Sequence, residues 1–236
     1  EQTLQPGGCM EVVRRWQAEG RIGHVGFSTH GPTALIAQAC DSGAFDYVNL
    51  HWYYIRQDNG PALDAARRQD MGVFIISPTD KGGHLHTPSQ RLLELCAPLH
   101  PIVFNDLFCL QDPRVHTISV GAARPEDLEL HLEALRLLPE AASLLAPVDQ
   151  RLRQAADEAL GRDWMATWSV GLPPWHATPG EINLPVLLWL YNLLEAWDLE
   201  SYAKARYGLL GSGGHWFAGA NACLLYTSPS PRDVRS

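Results

Sequence analysis

Apolar residues recur along this chain in two alternating rhythms. Cys9, Val12, Val13 and Trp16 fall at helical spacing and Gly20 follows, so the pattern predicts a helix over Cys9 to Glu19 stopped by a left-handed glycine. Ile22 to Phe27 is short, apolar and glycine-punctuated, which predicts a strand. Gly31-Pro32 then sets a proline at the first turn of a helix running through Ala34, Leu35 and Ile36. The alternation repeats: Phe45 to Trp52 reads as strand, Pro61 to Arg68 as helix, and Gly72 to Ser77 as a buried strand ahead of Pro78. A helix over Ser89 to Cys96 follows. Val115 to Val120 is the fourth strand, and Pro125 opens a helix whose leucines at 128, 132, 135 and 138 form one apolar stripe.

Strands that are apolar throughout, alternating with amphipathic helices, predict an α/β fold with a parallel sheet covered by helices. Four strand–helix units end near Leu138, whereas a closed (β/α)8 barrel takes about 250 residues. The arrangement is therefore a small open sheet or half a TIM barrel. Beyond Leu138 the pattern is helical only: Val148 to Leu160 closes at Gly161, Asn183 to Trp197 is strongly apolar, and Ser201 to Leu210 ends at Gly211. The division expected is 1–140 for the strand–helix units, 141–223 for an all-α extension and 224–236 for a tail.

With 236 residues, 46% hydrophobic and 19% charged, the chain is long enough to bury a full core. Its net charge of −8 is scattered along the sequence, which argues against nucleic acid or an anionic membrane surface as a partner. The longest apolar run, Leu184 to Leu194, is interrupted by Pro185 and Asn192 and falls far short of a bilayer span of about 20 residues. Glu1-Gln2-Thr3 lacks the basic and apolar regions of a signal peptide, and the five cysteines, Cys9, Cys40, Cys96, Cys109 and Cys223, are odd in number and widely spaced. A reducing, cytoplasmic location is expected. The chain opens without Met in the middle of a pattern, as if cut within a domain. The Ser/Pro-rich end from Leu224 to Ser236 resembles translated adapter read-through, so it is set aside as artefactual.

Gly20-Arg21-Ile22-Gly23-His24-Val25-Gly26-Phe27-Ser28 resembles the "G-K-I-R-x-I-G-V-S" signature of the aldo/keto reductases. Phe45-Asp46-Tyr47-Val48-Asn49 is similar to that family's "F-D-V-V-Q", Gly72 to Pro78 to its "G-V-x-x-x-S-P", Lys81 to Leu85 to "G-G-x-L", and Thr117 to Leu132 to its closing strand and helix. Blocks in the family's order over roughly residues 8 to 138 imply the C-terminal half of the family's (β/α)8 barrel. Pro179-Gly180-Glu181-Ile182-Asn183-Leu184-Pro185, with Leu190-Tyr191-Asn192 and Ala203 to Tyr207, is similar to the ferredoxin-like extension of one bacterial branch. Trp175-His176-Ala177-Thr178 stand where that branch has cluster thiolates, and no cysteine lies between Cys109 and Cys223, so no iron–sulfur cluster is expected.

The resemblance implies hydride transfer between NADP and a small aldehyde or ketone. The family's acid–base residues, a Tyr with Lys, Asp and His, belong to its first four strands and would lie upstream of Glu1. No catalytic residue is therefore assigned here, and the chain alone is expected to be inactive and prone to self-association. Ser28 and Thr29, with Asn49, fall at the nicotinamide carboxamide. Ile76 replaces an aromatic face, with Ser77 beside it, and Gly121, Ala122, Ala123 and Arg124 fall at the adenosine 2′-phosphate. Asp127 and His131 stand where Arg and Asn often grip the phosphate and adenine, so NAD is the alternative cofactor. Read without the resemblance, Ser28 caps a turn, Asn49 satisfies backbone at the rim, and Gly121 to Ala123 serve close packing.

Trp52, in Trp52-Tyr53-Tyr54, is a candidate substrate wall or a core residue. His84 and His86, or His51 with His116, lack the three or four convergent ligands of a zinc site, so no metal is assigned. Cys9 and Cys109 have no identifiable activating partner. The competing functional class is a non-catalytic barrel-derived binding or scaffold module.

Overall fold

The computed structural model describes residues 2–122, 124–212 and 217–222. Ala123, Cys223 and the tail at 224–236 lie outside the described residues. The chain forms two compact units, Glu1–His86 with Ile102–Leu145, and Thr87–Pro101 with Ala146 onward.

The first unit is built on four strands, β1 (Gly26–Ser28), β2 (Tyr47–Leu50), β3 (Gly72–Ile76) and β4 (Thr117–Ser119). All neighbours are parallel and the spatial order is the chain order. The helices are α1 (Cys9–Ala18), α2 (Thr33–Asp41), α3 (Gly60–Arg68), the single turn α4 (Pro78–Lys81), α5 (Gln90–Cys96, which belongs to the second unit), α6 (Pro101–Leu110) and α7 (Glu129–Leu137). A sequential parallel order contrasts with doubly wound sheets, whose strand order reverses at a switch point.

Every strand is shorter than its apolar run. Ile22 to Val25 stay outside the sheet: the Val25 N–H donates to the Asp46 carboxylate at 2.7 Å, and regular pairing begins at Gly26. Val48, Leu50, Val73 and Ile75 alternate as fully buried residues, whereas Tyr47, Asn49 and Ile76 on the opposite face are half-buried and Phe74 is 37% exposed. The expectation of strands buried on both faces is thus met on one face only. On the open face a row runs Gly26, Tyr47, Gly72, and a Cβ on Gly26 would stand 2.3 Å from the Tyr47 ring. Only a glycine leaves room for that ring.

Two helices correct the pattern. α6, apolar on every side, carries no periodicity and was not foreseen; it buries Asn105 and Asp106 among Ile102, Val103, Phe104 and Leu107. α7, entered by a 3-10 turn over Pro125–Leu128, turns its expected stripe outward. Leu128, Leu132 and Leu135 are 40%, 44% and 54% exposed, while His131 and Ala134 are buried.

The second unit is helical, with α5, α8 (Ala141–Leu160, of which Ala146 onward belongs here), α9 (Arg162–Thr167), α10 (Leu184–Trp197) and α11 (Glu200–Leu209). Ser89 caps α5 by accepting the Leu92 N–H at 3.1 Å, and Asn183 caps α10 by accepting that of Val186 at 3.1 Å. The Trp197 indole N–H donates to the Leu152 carbonyl at 2.9 Å and Arg151 Nε to that of Leu95 at 3.0 Å, which ties α8 to α10 and α5.

The segment before α10 is closed by hydrogen bonds. Thr178 Oγ1 lies 2.7 Å from the Trp175 carbonyl and 2.6 Å from that of Ile182, and the chain turns back through Gly180 at φ 68°. Ile182 bridges Ala220, with Gly219 at φ 85° approaching so closely that a Cβ would meet the Glu181 carbonyl at 2.8 Å. Thr178→Val should therefore lower the stability of this unit by about 1 kcal/mol, while Thr178→Ser keeps it within a few tenths. Urea melts followed by tryptophan fluorescence measure both, and a valine variant as stable as the parent would refute the hydroxyl staple.

Candidate functional site

Four parallel strands deliver all their C-terminal ends to one rim, and the residues just past those ends form the candidate site. Ser28 closes β1, and its Cα partner in the register is Asn49, which is in turn the partner of Phe74. The structure thus brings Ser28 and Asn49 side by side. Thr29 is engaged locally, its Oγ1 accepting the Gly31 N–H at 3.0 Å. Ile76 ends β3 half-buried, and Ser77 follows at φ 52°, in the left-handed region where a non-glycine residue is strained. What holds Ser77 there is its N–H donating to the Ser119 carbonyl at 3.1 Å and its carbonyl accepting from Lys81 at 3.0 Å. The loop after β3 is thereby sewn to the end of β4.

Sequence reasoning missed a network at the same rim. Tyr53 donates its only hydroxyl proton to the Ile76 carbonyl, so His51 Nδ1, 2.8 Å from that hydroxyl, must be the protonated nitrogen that donates to it. His30 stacks on His51 with ring centroids 5.1 Å apart. Partial burial lowers the pKa of His30, reinforced by the positive charges of Lys81 and Arg56, so its ring is neutral at physiological pH. Asn59 braces the loop from behind, donating to the His51 carbonyl at 2.9 Å and accepting from Thr33 Oγ1 at 2.9 Å. The visible signal was a dense run of ring residues, His51 to Tyr54, directly after a strand.

The other candidates are dispersed. Gly121 and Ala122 are exposed after β4. Arg124 is paired with Asp127, which takes its guanidinium at 3.0 Å and its backbone N–H at 3.1 Å. His131 lies inside, its Nδ1 2.5 Å from Asp106 Oδ2, with side chains 8% and 1% exposed. Asp106 Oδ1 and His131 Nε2 are buried without hydrogen-bond partners. Burial raises the pKa of Asp106, and His131 only partly opposes the shift. Trp52 is core rather than rim: its ring stacks on Phe108 with centroids 6.0 Å apart, and the Arg114 guanidinium lies 5.4 Å from it. Arg114 is itself held by Asp112 and Asp64 at 2.6 and 2.7 Å.

His51 and His116 stand at opposite ends of the strands. His116 Nδ1 accepts the Val73 N–H at 3.0 Å near the start of β3, while His51 follows the end of β2. Among the described residues no group of three or more His, Cys, Asp or Glu is placed to hold a metal ion. Burial lifts the thiol of Cys40 to about 11 and that of Cys96 to about 12, and pushes that of Cys109 well above its ordinary value, so these three are protonated. No single helix among the described residues is long and apolar enough to cross a membrane. Comparison with models of known families and with curated proteins finds no match for this chain.

Proposed function

We propose that the sheet-bearing unit is the cofactor-holding half of an aldo/keto reductase barrel, in which Ser28 and Asn49 receive the carboxamide of a nicotinamide dinucleotide. The observation that carries this reading is the sequential parallel order β1-β2-β3-β4, with Ser28 and Asn49 as register partners at its C-terminal rim. Side-chain hydroxyl and amide groups on adjacent strands give the donor and acceptor that a planar amide takes. Bound there, the nicotinamide would supply a hydride to the carbonyl carbon of a small aldehyde or ketone, or take one from the carbinol carbon of the corresponding alcohol. Ile76 offers its ring an apolar contact, and Ser77 holds the following turn against β4. The acid–base residues of the reaction belong to strand–helix units other than these four.

The residues fit the two ends of the cofactor unequally. At the carboxamide end Ser28 is exposed and Asn49 half-buried. At the phosphate end Arg124 is neutralised by Asp127, and His131 is sequestered by Asp106. That pairing favours NAD over NADP as a second reading, because a carboxylate suits a ribose hydroxyl and repels a 2′-phosphate.

Calorimetric titration of the chain with NADPH and with NADH tests the proposal. Binding of either is expected, weakened at least tenfold by Ser28→Ala or Asn49→Ala, with no turnover of aldehydes by the chain alone. Absence of binding to both cofactors would overturn the assignment. The carboxamide contacts fall if neither alanine variant has an effect.

A further inference from the structure

We propose that His30 is a further cofactor-contact residue, its imidazole meeting the hydroxyls of the nicotinamide ribose, and that buried His51 and Tyr53 are the positioning residues that hold its ring. The proposal rests on the carboxamide reading above and adds to it the residue that takes the next part of the ligand.

The β1–β2 register continues past the last paired residues. Ser28 partners Asn49. Two positions further along both chains His30 falls opposite His51, and the period of two returns both rings to the face that carries Ser28 and Asn49. The two imidazoles do meet there, stacked at 5.1 Å with 26° between their planes. Trp52, one position on, goes to the other side and packs on Phe108 of α6, as alternation requires. One face of the rim therefore presents a hydroxyl beside an amide, and beyond them two imidazoles.

The two rings differ in what they can do. His51 is 5% exposed and its Nδ1 is committed to Tyr53, which is fully buried and donates its hydroxyl proton to the Ile76 carbonyl. His30 is exposed, and among the described residues no hydrogen bond engages its nitrogens. Its ring is thus set from β3 through Tyr53 and His51, while its nitrogens are left to a ligand. Partial burial, with the positive charges of Lys81 and Arg56, keeps that ring neutral. A neutral imidazole carries one donor and one lone pair, the combination that a pair of sugar hydroxyls satisfies. Two residues of strand span about 6.6 Å. That spacing suits a ligand whose amide and sugar stand meta to each other on one six-membered ring.

Calorimetric titration with NADH tests the assignment. His30→Ala should weaken binding about tenfold, and Tyr53→Phe, which removes the hydroxyl and keeps the ring, about threefold. In the double variant Tyr53→Phe should cost less than about 1.5-fold, because no imidazole remains to be positioned. A dinucleotide whose nicotinamide ribose lacks its two hydroxyls should bind the parent more weakly than NADH and be indifferent to His30→Ala. Undiminished dependence of that analogue on His30 would overturn the sugar contact, and a loss on Tyr53→Phe that persists in the His30→Ala background would overturn the positioning role. Equal affinity of parent and His30→Ala for NADH, with Ser28→Ala still weakening it, would overturn the His30 contact and leave the carboxamide reading standing. A parent that binds no dinucleotide would overturn both.

Discussion

Asp106→Ala is expected to destabilise the sheet-bearing unit by about 3–5 kcal/mol, the usual consequence of removing one member of a buried ionisable pair. The loss comes less from the bond than from what remains. His131, almost wholly buried on α7, keeps an imidazole whose Nδ1 has lost its 2.5 Å partner and whose Nε2 already has none. Asp106→Asn separates bond from charge, since an amide oxygen still accepts from His131. It should cost less than about 1 kcal/mol.

The parent and Asp106→Asn also differ with pH. Burial raises the carboxyl pKa in the folded chain, so between the ordinary carboxylate value and the raised one the folded state holds the extra proton. Stability from Asp106 is therefore complete below about pH 3.9 and falls as pH rises through the folded value, so the parent should lose ground to Asp106→Asn across that interval. Thermal melts of both proteins between pH 4 and 7 measure the crossing. A parent that gains on the asparagine variant as pH rises would show that the pair is an ion pair stabilised by its charge.

The same pair explains why α7 was misread. Leucines at 128, 132, 135 and 138 have the period of a core-facing stripe, and periodicity alone places them inside. The rotation of the helix follows instead from the polar contact of His131 with Asp106, which turns the leucines outward. α6 escaped notice for the opposite reason: a helix buried on every side has no amphipathic period. Its signal was composition, Asn105-Asp106 inside an otherwise apolar decad.

The strands were legible because short apolar runs bounded by glycine and proline have few alternatives, though Phe27 and its neighbours paired over fewer residues than the runs allow. At the rim, Ser28 and Asn49 could be picked out only through the family resemblance, since a serine or asparagine after a strand is locally unremarkable. The Tyr53 contact with the Ile76 carbonyl spans 23 positions and leaves no local pattern at all.

Asn105→Leu is expected to cost about 2–4 kcal/mol, because it strips two backbone groups of partners in a site closed to water. Asn105 Oδ1 accepts the Tyr54 N–H at 3.1 Å, and its Nδ2 donates to the Pro78 carbonyl at 3.1 Å. One side chain from α6 thus holds both the loop after β2 and the loop after β3, the two loops that carry the His51 network and the strained Ser77. Leucine keeps the γ-branched outline at a larger volume but has neither donor nor acceptor, so the loops lose their shared anchor while the apolar surroundings of α6 stay filled. Crowding blocks an easy repair: Gly82 already sits where a Cβ would come 3.0 Å from Asn105 Nδ2, leaving no slack on that side. Released from the anchor, the turn that begins at Pro78 should loosen beside Ser77, and any cofactor affinity should fall with it. Hydrogen exchange is the discriminating measurement. The Tyr54 and Ser77 amides should exchange faster in Asn105→Leu by at least tenfold more than amides of α3, whereas uniform acceleration would mean a global loss of stability with no special role for Asn105 at the rim.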